Sequence, residues 1–321
     1  MYTINMFDPH LFQENVLLKE YNTYRVGGVA RYFFEAYDAD TLVSAVRYAQ
    51  KNNIAYFILG GGTNVLVSDE GFDGVVIKAN HQRTEVRGDE FYADAGISMS
   101  ALAIKAASLS LSGIEWAAGL PGTLGGAIFG NAGSHGTEAK DVVSEVDVFD
   151  PSCDILRRYP ARECGFHYRH SAFKERGGVI MGATLALHKG DAAAIMARMK
   201  ENMQKRIAHQ PLAQRSAGCV FRNIELTTSC EGSELVRTHA DFAVFRDARF
   251  LPAGLLVDRA GLKGARVGGA MISDKHGNFI VSEAHATADD IMRLIATAKN
   301  AVREKFGVQL EEEIRIMQNN K

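Results

Sequence analysis

The sequence predicts an α+β protein built from two or three packed units. Helical apolar periodicity and short apolar stretches typical of strands follow one another along the chain. A length of 321 residues exceeds what one core usually organises. Glycine is abundant, with 31 residues against 6 prolines, and it is concentrated in a few loops. Such clusters indicate turns with positive φ, or backbone that approaches a ligand.

The first half of the chain predicts both helices and strands. Residues 40–53 have an apolar stripe at 42, 43, 46 and 49 behind an acidic N-cap at Asp40, which predicts a helix. Strands are predicted on either side of GGGTN, and the alternation around Gly88-Asp89 predicts a hairpin over 84–95. The strands that flank GGGTN are at 56–59 and 65–67. Further strands are predicted at 142–149 and 179–187, and further helices at 98–109 and 191–208.

The second half is predicted to begin after the helix 191–208, where Gln210-Pro211 interrupts the periodicity. Helices are predicted at 253–260 and 288–306, the second closed by Gly307. The last stretch, 308–317, alternates like a strand.

Bulk properties disfavour several classes of protein. A net charge of −2 gives no reason to expect nucleic acid or membrane binding. The start lacks a secretory pattern, and the uncharged run 116–134 is broken by Pro121 and glycines, so we expect a cytoplasmic protein without membrane insertion. Its cysteines, at 153, 164, 219 and 230, are then expected to be reduced thiols, and their spacing matches no zinc site, so we predict no metal.

Two glycine-rich stretches are candidate ligand loops. LGGGTNVLVSD (59–69) could be a nest of backbone N–H groups for phosphate oxygens, or equally a plain tight turn. GLPGTLGGAIFGNAG (119–133) sets six glycines among uncharged residues, and ordering them costs much conformational entropy. A bound, extended ligand would stabilise such a segment, and the pair of loops suggests a dinucleotide.

RSAGCVFRN (215–223) places a cysteine on a tight turn between small residues and an apolar strand. The thiol of Cys219 could serve packing, metal binding, nucleophilic attack or proton donation. The residues of this stretch alone leave those alternatives open.

Seven motifs follow one another in a specific order: NTYRVGG (22–28), the two glycine loops, YRHSAFK (168–174), SAGCVFRN, AGLKGARVGGAMISDKHGNF and LEEEIR. With them, the chain resembles the UDP-N-acetylenolpyruvoylglucosamine reductase family from about Asn22 to Met317. The resemblance implies an FAD-binding domain of the vanillyl-alcohol-oxidase/p-cresol-methylhydroxylase type, with two α/β subdomains, and a C-terminal α+β substrate domain. The expected boundaries are 1–80 (completed by 307–321) and 81–190 for the subdomains, and 205–306 for the substrate domain.

The resemblance also implies a reaction, the reduction of UDP-N-acetylglucosamine enolpyruvate to UDP-N-acetylmuramate in peptidoglycan synthesis. NADPH would deliver hydride to non-covalent FAD; hydride would then pass to C3 of the enolpyruvyl group and a proton to C2. Such an addition needs fixed cations on the adjacent carboxylate and a proton source over C2. We expect a monomer or weak homo-oligomer.

Three catalytic residues are implied by the family motifs. Arg169, in YRxS, would hold the carboxylate. Glu313 is the second carboxylate of the LExE pattern, although alternation puts Glu311 on the same strand face and spacing alone cannot choose between them. Cys219 stands where the family usually has serine and would donate the proton, since a thiol of pKa about 8.5 is mostly protonated at neutral pH.

The resemblance further implies binding residues. The cofactor contacts would be Tyr24, Arg25, Gly60, Gly61, Gly62, Thr63, Asn64, Gly122, Thr123, Gly125, Gly126, Asn131, Ala132, Arg206 and Arg315. The substrate contacts would be Tyr168, His209, Asn223, Lys275, His276 and Asn278. The chain departs from the family pattern at His170, His209 and Ile224, where Asp, Lys and Pro are usual.

The connection over 225–250 is longer than usual, and either a surface insertion near the substrate mouth or a contact between chains would fit. Two rival functions are an FAD-dependent oxidase of the same fold, acting on a small hydroxy acid or alcohol, and a non-catalytic flavin or nucleotide-sugar binding protein. The glycine loops carry no His, Tyr or Cys, which disfavours the covalent flavin common among such oxidases. A binding protein would not require a proton donor.

Overall fold

The structure is a computed structural model that describes residues 7–87 and 90–319. Contacts divide the chain into two compact units. The first comprises the described parts of Met1–Val16, Val29–Gly62 and Phe72–Arg206, and the second comprises Leu17–Gly28, Thr63–Gly71 and the described part of Ile207–Lys321. This division differs from the predicted one, because 17–28 and 63–71 group with the C-terminal part.

The helices and strands were assigned over the described ranges. The helices are α1 (Ala39–Lys51), α2 (Met99–Ser108), α3 (Leu124–Gly130), α4 (Phe173–Arg176), α5 (Ala192–His209), α6 (Cys230–Thr238), α7 (Ala253–Arg259) and α8 (Ala288–Phe306). The strands are β1 (Gln13–Leu17), β2 (Val29–Ala36), β3 (Tyr56–Leu59), β4 (Val65–Val67), β5 (Phe72–Ala79), β6 (Thr84–Arg87), β7 (Glu90–Asp94), β8 (Leu111–Ser112), β9 (Gly133–Ser134), β10 (Thr137–Glu138), β11 (Val143–Asp150), β12 (Ile155–Pro160), β13 (Val179–Ala186), β14 (His188–Lys189), β15 (Ile224–Glu225), β16 (Phe250–Leu251), β17 (Arg266–Val267), β18 (Ala270–Ile272), β19 (Ile280–Ser282) and β20 (Arg315–Met317).

The first unit contains a four-stranded sheet of order β1-β2-β5-β3, in which β2, β5 and β3 are parallel. Helix α1 packs its apolar stripe against this sheet, and Leu42 and Val46 are fully buried. The helix is preceded by Asp38, whose carboxylate accepts a hydrogen bond from Thr41 N (2.7 Å). The predicted cap at Asp40 was therefore wrong by two residues, because Asp38 is the residue with extended backbone.

A second sheet in the first unit is antiparallel, with the order β12-β11-β13-β7-β6. Helices α2 and α3 share its hydrophobic core through residues such as Leu102 and Ile128. The predicted hairpin is confirmed by the pairing of β6 with β7. Its predicted turn residues, Gly88 and Asp89, lie outside the described residues.

The second unit packs α7 and α8 with the short sheets β17-β18-β19 and β15-β16 and the parallel pair β20-β4. Helix α8 has the predicted bounds, with a capping box between Thr287 and Asp290 and a left-handed Gly307 at its end. The predicted strand 308–317 was wrong as one element. Glu312 bridges to Phe221, whereas strand structure begins only at β20, because the segment changes its pairing partner to β4.

The long connection 225–250 is an integral part of the second unit. It forms α6 and a 3₁₀ turn at Ala240–Phe245, and Leu235 and Phe242 are buried in the unit's core. The ribbon β15-β16 forms its base, and Arg249 donates two hydrogen bonds to Glu225 there (2.9 and 2.8 Å).

Across the described parts of the chain, no helix combines the length and apolar character that a membrane crossing requires.

Candidate active site

Cys219 lies at the start of a short extended segment in the second unit. Gly218 precedes it with a φ of 77°, a left-handed conformation that glycine adopts without strain. Cys219 then forms an antiparallel bridge with Phe279, and Val220 N donates to Asn278 O (2.8 Å). Backbone pairing therefore holds one edge of this segment.

The other edge pairs with the LEEEIR motif. Phe221 bridges to Glu312, and Glu313 N donates to Val220 O (2.7 Å). The backbones of two predicted catalytic residues, Cys219 and Glu313, are consequently neighbours in the second unit, although 94 positions separate them in the sequence (313 − 219).

The side chain of Asn278 extends this pairing. Its Nδ2 donates to Phe221 O, and its Oδ1 accepts from Phe221 N, both at 2.8 Å. Asn278 is only 2% exposed. Since both amide atoms bind backbone, the structure connects this predicted substrate residue with the Cys219 segment.

A cavity of about 310 Å³ lies beside this segment, within the second unit. Five of the predicted residues line it: Cys219, Asn223, Lys275, His276 and Asn278. Its other lining residues are Pro252, Gly254, Leu255, Asp258, Lys263 and Gly277. The structure thus brings the predicted proton donor together with most of the predicted substrate residues.

Two lysines bring positive charge to the cavity. Lys263 Nζ lies 3.1 Å from Asp258 Oδ2, and Lys275 Nζ donates to Ile207 O (2.6 Å). Lysine ammonium groups with further donor capacity suit an anionic ligand such as a diphosphate. Sequence reasoning missed Lys263 and Asp258; the AGLKG motif contains this lysine and is the signal that could have revealed it.

His276 is a neutral hydrogen-bonding group in this cavity. Burial lowers the pKa of its imidazole, and the charges of Lys263 and His209 lower it further against an opposing backbone hydrogen bond. Its Nδ1 accepts from Asn278 N (3.1 Å), so the proton of the neutral ring is on Nε2. His209 itself is exposed.

Asn223 is held at the beginning of α7. Its Oδ1 accepts from Ala253 N (3.1 Å), the first residue of that helix. This contact fixes the side chain at the wall of the cavity and satisfies a helix N–H that lacks an intrahelical partner.

Glu311 and Glu312, two of the consecutive acids, lie close to cations. Glu311 Oε2 is 3.8 Å from Arg222 Nη1, and Glu312 Oε1 accepts from Lys299 (2.8 Å). The carboxylate of Glu311 is 74% exposed, whereas Glu313 is half-buried. These environments distinguish Glu311 from Glu313, which the alternation in the sequence could not do.

Asn64 ties the end of GGGTN to the LEEEIR motif in the second unit. Its Nδ2 donates to Glu313 O (3.2 Å), and its carbonyl oxygen accepts from Arg315 N (3.0 Å). Partial desolvation lowers the pKa of the Arg315 guanidinium, although the residue as a whole is exposed. Thr63, the neighbouring predicted cofactor residue, also belongs to the second unit.

Arg169 occupies the tip of a tight turn in the first unit. The backbones of His167 and His170 exchange two hydrogen bonds of 3.1 Å across this turn, and their rings stack at 4.3 Å. Arg169 has a φ of 54°, a conformation that is unfavourable for residues other than glycine. Its Nη2 donates to Gly133 O (3.3 Å), and its guanidinium carbon lies 5.2 Å from the centre of the Tyr168 ring.

Asn131 is hydrogen-bonded to this turn. It is fully buried, and its Nδ2 donates to His167 O (2.9 Å) and to Glu138 Oε2 (3.0 Å). Its Oδ1 accepts from Lys140 N (3.0 Å). The amide atoms of Asn131 hold the loop, and Ala132 N continues the same loop by donating to Ala127 O (2.8 Å), while the cofactor contacts of both residues stay predictions.

The two glycine loops meet within the first unit. A Cβ placed on Gly60 would lie 2.5 Å from Thr123 Oγ1, so only glycine fits at that contact. Thr123 caps α3 by accepting from Gly126 N (3.4 Å), and Gly62 and Gly122 have φ values of 63° and 103°. Backbone that is free of side chains on two touching loops forms a cradle suited to an extended diphosphate-bearing group. Gly61 and Gly125 lie in the same two loops.

The remaining predicted cofactor residues lie in contrasting environments. Arg206 is buried near the end of α5, with its Cδ 3.9 Å from the Cβ position of Gly119. Arg25 pairs with Glu20 at the surface (3.0 Å). Tyr24 has no exposed surface and packs in the core of the second unit, and its contact with the cofactor stays a prediction.

The predicted catalytic residues are divided between the units. Arg169 belongs to the first unit, with Tyr168, Arg206 and all six predicted cofactor glycines, whereas Cys219, Glu313 and the cavity belong to the second.

Comparison with known proteins identifies the family. The model of an FAD binding domain matches residues 30–158, and that of the UDP-N-acetylenolpyruvoylglucosamine reductase C-terminal domain matches residues 210–317. A UDP-N-acetylenolpyruvoylglucosamine reductase from Caldanaerobacter subterraneus is 38% identical over 304 residues, covering 94% of this chain and 92% of that protein. The chain belongs to the UDP-N-acetylenolpyruvoylglucosamine reductase family. It is an FAD-dependent oxidoreductase.

Further relatives agree with this assignment. The reductase of the same name from Chlamydia trachomatis is 36% identical over 315 residues, which is 96% of this chain and 97% of that protein. The crystal structure of the Thermus caldophilus reductase has a TM-score of 0.75 and 32% identity, and the match covers 96% of this chain and all of that one. The predicted fold class, an FAD-binding domain followed by a substrate domain of this family, is confirmed.

Proposed function

We propose that this protein catalyses the NADPH-dependent reduction of UDP-N-acetylglucosamine enolpyruvate to UDP-N-acetylmuramate, a step of peptidoglycan precursor synthesis. The double bond between C2 and C3 gains a hydride at C3 and a proton at C2, and NADPH supplies the two electrons and leaves as NADP⁺. The relatives carry the name of this reductase, and the residues of the cavity support the same substrate class.

The cavity beside Cys219 is the observation that carries the proposal. A diphosphate needs fixed cations and donors, and Lys263, Lys275 and the Nε2–H of His276, which line the cavity, offer them. Asn223 offers its amide to the sugar or the base. The side of the cavity next to Cys219 would then receive the enolpyruvyl end.

The chain's own residues would hold the cofactor by backbone and by charge. The two touching loops around Gly60 and Thr123 suit the diphosphate of FAD, and the buried Arg206 and the exposed Arg315 are cations for its remaining polar groups. When bound, FAD would supply the hydride-transfer chemistry that links NADPH to the substrate.

Arg169 and Glu313 would bind and orient the enolpyruvyl end of the substrate. The planar guanidinium of Arg169 suits a bidentate contact with the substrate carboxylate, whose negative charge grows as hydride reaches C3. The contacts of its guanidinium with Gly133 O and the Tyr168 ring would orient Arg169 before substrate arrives. Glu313 would orient the same end of the substrate.

Cys219 would protonate C2. A thiol is a stronger acid than the serine hydroxyl usual in the family, and its proton moves to carbon as the enol ether is reduced. The thiolate that remains would regain its proton from solvent before the next turnover, near the lysines that line the cavity.

Anaerobic stopped-flow absorbance of the flavin tests the proposal. NADPH should bleach the flavin, and UDP-N-acetylglucosamine enolpyruvate should then restore its absorbance in the absence of oxygen. No recovery with this substrate would overturn the proposal. Recovery with oxygen alone, after bleaching by a small hydroxy acid, would instead identify an oxidase.

A further inference from the structure

We propose that Asn278 is a positioning residue for Cys219, a role that rests on the proposed function of Cys219 as proton donor. The assignment replaces the direct substrate contact predicted from sequence. Its basis is the pair of 2.8 Å hydrogen bonds from the Asn278 amide to both backbone groups of Phe221, two residues after the cysteine.

The side-chain amide of Asn278 binds the N–H and the carbonyl of Phe221, as the backbone of a neighbouring strand would. Main-chain pairing holds Cys219 against Phe279 and Val220 against the Asn278 carbonyl. The ladder cannot continue beyond this point, because the chain turns back and Phe279 N donates to His276 O (2.9 Å). The amide of Asn278, with one donor and one acceptor in the right order, extends the ladder by one residue.

On the N-terminal side of Cys219, Ala217 is buried in the core and Arg215 bridges to Ser282, whereas the intervening Gly218 has space around it. Gly218 has a left-handed φ, and a Cβ at this position would find no atom within 4 Å. The Asn278 amide is thus one of the contacts that position the thiol, together with the pairing of Cys219 with Phe279 and of Val220 with Glu313. Since Phe221 is 2% exposed, water cannot replace the lost partners when the amide is removed.

The reactivity of Cys219 in the FAD-bound protein tests this role without substrate. Iodoacetamide labelling would be followed peptide by peptide in the parent protein and in Asn278→Ala, with the exposed Cys153 and Cys230 as internal references. We expect labelling of Cys219 to accelerate roughly tenfold as the segment opens locally, while the two reference thiols keep their rates.

Asp290→Ala is the matched structural control. Asp290 also binds two backbone N–H groups in the second unit, those of Gly269 and Thr287 (both 3.1 Å), and it does not line the cavity. This variant loses a comparable pair of hydrogen bonds and should leave the labelling of Cys219 unchanged. Equal labelling of Cys219 in the parent, Asn278→Ala and Asp290→Ala would overturn the proposal.

Half-reaction kinetics of the same variants test the consequence for chemistry. Asn278→Ala should bleach the flavin with NADPH at the parent rate but slow its recovery with saturating substrate by up to about 100-fold, with substrate affinity retained. Weakened affinity with an unchanged saturated rate would mean that Asn278 is a substrate contact after all. If the parent shows no recovery, the proposed function fails, and the labelling result still decides the positioning role.

Asn278→Asp keeps the test decisive if the alanine variant does not fold. A protonated Asp side chain can donate to Phe221 O and accept from Phe221 N, whereas its carboxylate repels the carbonyl. The saturated recovery rate of this variant, relative to the parent, should therefore rise as pH falls from 7 to about 5. A pH-independent ratio would contradict the role.

Discussion

At the residue scale, the second unit combines a thiol, two lysines and a neutral histidine around one cavity. The four cysteines of the chain have clearly different environments. Cys164 is buried, and burial raises the pKa of its thiol to about 11 despite the nearby Arg176, which makes it a poor acid and nucleophile. Cys219 is half-buried and lines the cavity, so the cysteine singled out by its motif is also the one with access to a ligand.

Replacing Cys219 separates the two halves of the proposed reaction. Cys219→Ala should keep the bleaching of FAD by NADPH and lose product formation by about 10²- to 10⁴-fold, the usual contribution of a general acid. Cys219→Ser should retain substantial activity, because a hydroxyl can still deliver a proton. Product formation is measured by chromatography of the nucleotide sugars. Turnover of Cys219→Ala at the parent rate would show that this thiol is not the donor.

His276 should make the protein less stable in mild acid. Its pKa is lowered in the folded state from an ordinary value of 6.5, so below that pH the unfolded chain binds the proton more readily. The free energy of unfolding therefore falls as pH drops below about 6.5, and His276→Gln should remove part of this decline. Urea unfolding at pH 8 and pH 5 measures it.

The value at pH 8, where the ring is neutral in both states, gives the pH-independent cost of the His276→Gln substitution. An equal loss of stability between pH 8 and pH 5 in the two proteins would argue against burial of a neutral His276.

At the element scale, close packing explains the glycines of the two loops and the apolar residues of the long connection. The loops touch at Gly60 and Thr123, where a side chain would not fit. The connection 225–250, whose role the sequence left open, buries Leu235 and Phe242 and so contributes to the core. The connection therefore stabilises the second unit as well as joining its elements.

Gly60→Ala should weaken FAD binding. Its Cβ would displace Thr123 Oγ1, and that oxygen caps α3 through Gly126 N. Losing the cap costs about 1 kcal/mol and shifts the loop that would face the diphosphate. The ratio of FAD to protein after gel filtration reports the effect.

Gly130→Ala is the control for the glycine loops, because no atom lies within 4 Å of its Cβ position. This variant should keep the parent's FAD content. Full FAD occupancy in Gly60→Ala, with unchanged affinity, would contradict the assignment of these loops to the cofactor.

Phe242→Ala should destabilise the protein by about 3–5 kcal/mol, since it leaves a cavity against Phe306 in the core. Two residues later, Val244 is 82% exposed, and Val244→Ala should change stability by less than about 0.5 kcal/mol. Thermal and urea unfolding would compare the pair. Equal effects would mean that the connection is a surface loop.

At the scale of the whole molecule, the second unit is assembled from three separate parts of the chain. Tyr24, Val26 and Leu66 belong to its core, and β4 is the partner of β20. The C-terminal family domain at 210–317 therefore lacks part of the core of the unit to which it belongs.

A fragment of residues 207–321 should consequently not fold alone. Removing three buried apolar side chains and the partner of β20 would cost several times about 2 kcal/mol, comparable with the whole stability of a small domain. Circular dichroism during urea titration would measure this, with the full chain as the control. A sharp cooperative transition in the isolated fragment would contradict the shared core.

The sequence by itself determined what depends on neighbouring residues and on motif order. Helix α8, with its cap at Thr287 and its end at Gly307, could be read from local patterns because caps and periodicity act within a few positions. The family, the FAD-binding fold and the candidate site residues followed from seven ordered motifs.

Tertiary structure alone decided where partners distant in the sequence meet. In the structure, Phe221 pairs with Glu312, and the Asn278 amide binds the Cys219 segment. Tyr24 and Asn131 are buried, and Lys263 lines the cavity. The tertiary structure also divided 308–317 between two pairing partners. Such outcomes depend on burial and hydrogen bonding between segments, for which spacing along the chain carries no signal.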